Sequence, residues 1–153
     1  MLRDKDVTVL NTLITTTIDS ANGYEKSADD VRGGRFEQMF SEMAAERRQI
    51  VSDLQAAVRE AGGTPNDDGS LKADLHRRWI DLRTAVTGGG GDRAVIEEVE
   101  RGEDYLKGKY NAALGDATGL SDTARNAIRK AYESVSAGHD KASALKQDMA
   151  TSA

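Results

Sequence analysis

Glycines and one proline punctuate this chain, and the stretches between them are long and regular. Pro65 is the only proline in 153 residues and lies in the loop-like segment "TPNDDGS". Glycine pairs at 33–34 and 62–63, and four glycines at 88–91, divide the rest. Sandwiches and barrels need frequent turns, so an all-α fold is expected of a chain with so few breaks and 31% charged residues. Its length suits one domain able to bury about two-thirds of its unfolded surface.

Apolar residues confirm the helical period. Leu10, Leu13, Ile14, Ile18, Ala21, Tyr24, Ala28 and Val31 recur at spacings of three and four over residues 7–31. The opening of this segment is rich in β-branched residues, against helix propensity. Gly33-Gly34 suits a left-handed cap and a tight reversal. A second helix over 35–61 carries Phe36, Met39, Phe40, Met43, Ile50, Leu54, Ala57 and Val58, and stops at Gly62-Gly63. Ser70 is expected to cap a shorter helix to residue 87, with Leu71, Leu75, Trp79, Leu82 and Val86 on one side. Asp92 opens a third long helix to residue 117, with Val95, Val99, Glu103, Leu106, Tyr110 and Ala113 in its stripe. Ser121 caps a fourth, to residue 149, with Ala124, Ile128, Ala131, Val135, Ala142, Leu145 and Met149 inward and the last four residues frayed.

The domain, 1–153, thus reads as two hairpins, 7–61 and 92–149, joined by a crossover over 62–91. Neighbouring antiparallel helices need only about 2–8 linking residues. A helix of about 17 residues rises roughly 25 Å, enough to return the chain along the molecule and set helix three parallel to helix two.

Each long helix carries a polar residue in or beside its apolar stripe: Glu25, Glu46, Glu103 and His139. With a crossover, their heights counted from the helix midpoints agree within about 6 Å; without one, His139 and Glu25 separate by about 15 Å. Buried carboxylates need neutralising, by protons, by arginines such as Arg47 or Arg101, or by a cation. Two Glu and two Glu-x-x-His pairs hold paired iron or manganese in bundle cores. Here Gln49 stands where the second helix would need His, and Ser136 where the fourth would need Glu, leaving Glu25, Glu46, Glu103 and His139 as the metal ligands, with Gln49 and Ser136 as weak substitutes. Two readings stay open: a divalent-metal site, or a salt-bridged polar layer that fixes helix register.

The segments "DLHRRWIDLRTAVTG" at 74–88, "EEVERGEDYLKGKYNAAL" at 97–114 and "AGHDKASALKQDM" at 137–149 carry a resemblance. In this order, with the His-Arg-x-Trp and Arg-Gly-Glu-Asp motifs, the chain resembles the bacterial ferritin-like four-helix-bundle family of unknown function. The resemblance implies a ferritin-like fold with a long crossover between helices two and three, and an association with stress responses. It implies that Glu25, Glu46, Glu103 and His139 correspond to core ligand positions for iron or manganese. Gln49 and Ser136 depart from that pattern.

Elsewhere the sequence mostly excludes. Without cysteine there is no disulfide, thiol catalysis or iron–sulfur cluster. A net charge of −5 with mixed signs gives no basic stripe for nucleic acid. No segment has the roughly 18 apolar residues that span a bilayer, and no secretory signal is read, so a cytoplasmic protein is expected. The four glycines at 88–91 lack the lysine and threonine of a phosphate loop. No spacing supports a hydrolytic triad. His76 and Trp79 could form part of a pocket or pack the connecting helix, and Gly102 and Gly108 mark either close helix contact or tolerated weakness. The tyrosines read as core packing. The functional expectations are therefore a ferritin-like protein with a degenerate metal cluster, or a metal-free structural and interaction module, homodimeric in either case.

Overall fold

A computed structural model describes residues 4–30, 36–69, 91–116 and 118–152. Among them are four α-helices and no strand: α1 (Asp4–Asp30), α2 (Glu37–Glu60), α3 (Gly91–Gly115) and α4 (Asp122–Ser152). The expected turn at Gly33-Gly34, and the helix expected over 70–87 with His76 and Trp79, lie outside the described residues. No described helix is long and apolar enough to cross a membrane.

α1 starts three residues earlier than its apolar stripe suggests. Asp4 and Asp6 occupy its first turn, where the helix dipole favours acidic groups. Its threonines fit a helix because their hydroxyls bond back one turn. Thr12 donates to the Thr8 carbonyl and Thr16 to that of Thr12, each at 3.0 Å, and Thr17 donates to that of Leu13 at 2.6 Å. α2 ends in a Schellman cap, with Gly62 at φ 85°, Gly62 N bonded to the Arg59 carbonyl and Gly63 N to that of Val58, both at 3.0 Å. Ser121 caps α4 as expected, its hydroxyl accepting from Ala124 N at 3.1 Å. α4 then continues through Ser152, past the expected frayed end.

Side-chain pairs fix the helix directions. Thr17 meets Tyr110 and Tyr24 meets Glu103, so seven residues up α1 match seven down α3 and the two run antiparallel. The Tyr24–Phe40 ring contact and the Glu25–Arg48 pair fall near the end of α1 and the first half of α2, making these antiparallel too. α3 is therefore parallel to α2, as the crossover argument requires. The first part of the connection is visible beside α1: Asn66 N donates to Asn11 Oδ1 at 2.7 Å, Asn66 Nδ2 donates to Thr15 Oγ1 at 3.0 Å, and Gly69 lies against Asp19. His139–Asp104 and Ser143–Glu100 contacts make α3 and α4 antiparallel.

The core is in two parts. One holds Leu13, Ile18, Leu54, Leu106, Ile128 and Val135; the other holds Tyr24, Phe40, Met43, Ile96, Val99 and Ala142. Between them, where α3 passes from Val99 to Leu106, lies Glu103.

Candidate functional site

Glu103 is inside the molecule, 1% exposed, and its partner is an arginine. Arg47, 0% exposed, sits on the buried face of α2 between Ala44 and Ile50. Its Nη2 donates to both Glu103 carboxylate oxygens at 2.7 Å each. The Tyr24 hydroxyl, also fully buried, donates to Glu103 Oε1. α4 closes the layer with Gly138. A Cβ on that glycine would stand 2.6 Å from Arg47 Nη2 and 2.7 Å from Met43 Cε, so any side chain there would have to displace the ends of both.

The electrostatics are those of a closed ion pair. Burial works against the Arg47 charge, but the neighbouring Glu103 carboxylate outweighs it, and the guanidinium is held above its usual value. Burial, reinforced by Glu103 and opposed by Arg47, pushes the Tyr24 phenol well above its ordinary value. Two helical turns away, burial raises Tyr110 to about 12, against the opposing hydrogen bond with Thr17. Arg47 is not fully satisfied: among the described residues Nε and Nη1 have no hydrogen-bond partner, and the Tyr24 ring lies 6.0 Å from Cζ.

The other residues expected at this level face outward. Glu25 is exposed and pairs with Arg48 at 2.8 Å, while Arg48 also donates to Asn22 Oδ1 at 2.8 Å. Glu46 is exposed, as is Gln49, which donates to Asp53 Oδ1 at 3.0 Å. Ser136 is half-buried on α4. His139 is at the edge, 19% exposed, with Nε2 on Asp104 Oδ1 and Nδ1 3.6 Å from Asp140. Of the expected four, only Glu103 enters the core. The heights were right and the rotation was not: the inward residues are Tyr24, Arg47, Glu103 and Gly138, each within one position of the residue expected. One residue turns a helical side chain by about 100°.

A divalent ion does not fit this donor set. Both Glu103 oxygens are engaged by Arg47, whose positive charge would face any cation bound to them. Among the described residues no three of His, Cys, Asp and Glu group closely enough to hold a metal ion.

Asp6 was missed by the sequence reading. It is 2% exposed and joins the start of α1 to the α3–α4 turn, with Oδ1 accepting from Ser121 N at 2.9 Å and Oδ2 from Ser121 Oγ at 2.6 Å. Its place in a charged N-terminal run hid it.

Residues 5–116, from the first turn of α1 to the end of α3, match the family profile described as Domain of unknown function (DUF2383). The chain belongs to that family. Tyr24, Arg47 and Glu103 lie inside the matched span of DUF2383, whereas Gly138 and His139 lie beyond it. No curated protein matches the chain significantly.

Proposed function

We propose that this chain is a ferritin-like bundle in which an arginine takes the place of a core cation, and that it serves as a metal-free helical scaffold for interaction with other proteins. In this reading residues 62–91 form the crossover with its additional helix. The observation that carries it is the buried Arg47–Glu103 pair, in which one guanidinium nitrogen, Nη2, donates to both carboxylate oxygens. It neutralises a core carboxylate where metal-binding bundles use an ion, and it joins α2 to α3 at the boundary between the two apolar clusters. What a buried ion pair contributes best is specificity of register rather than net stability.

The competing reading is iron or manganese bound by Glu25, Glu46, Glu103 and His139 in a stress role. Elemental analysis of protein purified without chelators, with melting curves in added ferrous iron and manganese, separates the two. Metal below stoichiometry and an unchanged Tm are expected, because an ion that does not bind the native state cannot stabilise it. Stoichiometric metal that disappears in Glu103→Gln would overturn the proposal.

A further inference from the structure

The seam between α2 and α4 is open. Two adjoining hollows share Ala57, Glu60 and Thr123: one of about 460 Å³ at its end, beside Asp6 and Ser121, and one of about 480 Å³ along it. The floor of the second is largely apolar, with Ile50, Ala57 and Ala131 buried, whereas the first is mostly polar, with Ser121, Asp122 and Thr123 beside buried Ala124. The α2 rim carries Glu46, Asp53 and Glu60, all exposed and each seven residues from the next. Fourteen residues of helix span about 21 Å, so the three carboxylates form a straight row along the groove. None of them makes an ion pair among the described residues, and Asp53 accepts only from Gln49 on its own helix. Glu25, Glu103 and Asp122, by contrast, are matched by Arg48, Arg47 and Arg125.

We propose that this groove receives an amphipathic α-helix of a partner protein, with apolar residues on one face and lysine or arginine at seven-residue intervals beside it. A helix repeats its contacts with a parallel or antiparallel neighbour every seven residues, which is the spacing of the carboxylate row. Charge complementarity then fixes orientation and on-rate, while the apolar floor provides affinity. A second copy of this chain is the poorer match. No two Lys or Arg residues in the described helices are seven apart, and the chain's net charge of −5 opposes self-association through an acidic rim. The inference rests on the interaction-module reading and names the partner's chemistry.

The test uses the full chain and a labelled synthetic helix of about 16 residues, with leucine on one face and lysines every seventh position, followed by fluorescence anisotropy. Saturable binding is expected, weakened about tenfold by the triple reversal Glu46→Lys, Asp53→Lys, Glu60→Lys and lost in Ala127→Trp, since Ala127 lines the second hollow from α4 and the indole would fill it. A control triple of equal charge change away from the groove, Glu42→Lys, Asp67→Lys, Asp68→Lys, should weaken binding less than about threefold. Circular dichroism confirms that each variant is folded. Absence of binding, or equal weakening by both triples, overturns the proposal. So does sedimentation showing a free dimer that the groove triple splits, since the occupant would then be a second copy. Running the titration with and without chelator keeps this outcome separate from the metal analysis: metal content can refute the metal-free scaffold without altering peptide binding.

Discussion

Arg47 and Glu103 make opposite contributions singly and together. Arg47→Met leaves a carboxylate uncompensated in the core, and a cost of about 3–5 kcal/mol is expected in chemical denaturation. Replacing both partners, with Arg47→Met and Glu103→Leu, removes the charges and the two unpaired Arg47 N–H groups together. That double variant should be as stable as the natural chain or more stable by about 1–4 kcal/mol. If the double variant were as unstable as the single, the pair would be a true stabilising interaction. Gly138→Ala tests the close approach of α4: its methyl group would meet Arg47 Nη2 at 2.6 Å, and about 1–3 kcal/mol of overpacking cost is expected. An unchanged denaturation midpoint would show that Arg47 can move aside freely. These residues also mark where reading the sequence stopped. Glu103 was legible because it falls four after Val99 and three before Leu106. Arg47 was named as one arginine that could neutralise a core carboxylate, but its inward position was not legible, because positions 46 and 47 are equally three or four from Met43 and Ile50, and only packing decides which turns inward.

At the scale of elements, the ends of helices depend on contacts that span the chain. Asp6 lies 115 residues from Ser121, yet its carboxylate accepts from both the backbone N and the hydroxyl of the residue that caps α4. Ser121→Ala should cost about 1 kcal/mol, the usual loss for a helix cap. Asp6→Ala should cost more, about 1.5–3 kcal/mol, because hydrogen bonds to a charged, buried acceptor are lost. Urea midpoints measure both, and the order Asp6→Ala above Ser121→Ala is the decisive outcome. Local signals predicted the Gly62 and Ser121 ends well, since each rests on conformational freedom or a side chain within four residues. The start of α1 was placed at the first apolar residue, three residues late, because its first turn is marked by the acidic Asp4 and Asp6 rather than by the apolar stripe. The threonine-rich opening was a real conflict with propensity, and back-bonded hydroxyls and burial of Thr16 and Thr17 resolve it in favour of helix.

For the whole molecule, the direction of travel was read from the connection length together with the common height of the polar residues, and the Thr17–Tyr110 and Tyr24–Glu103 pairs, with the contacts of α1 to α2, bear out a third helix parallel to the second. The same two pairs set the response to alkali. Both phenols are buried and neutral, Tyr24 held well above its ordinary value of 10.0 and Tyr110 raised to about 12. In the unfolded chain each would release its proton near pH 10, so between that value and the folded one the native state binds more protons than the unfolded state. Stability from these groups is therefore complete below pH 10 and is lost as pH rises above it. Each tyrosine contributes a slope of about −1.4 kcal/mol per pH unit in that window. Urea midpoints measured across it should fall steeply in the natural chain and less steeply in Tyr110→Phe, which keeps the ring and removes one titrating group. Phenolate absorbance from the two buried rings should rise only as the helical signal falls. Full ionisation of all four tyrosines with the helical signal intact would mean that solvent reaches the centre of the bundle, and that the layer joining α1, α2 and α3 is not closed.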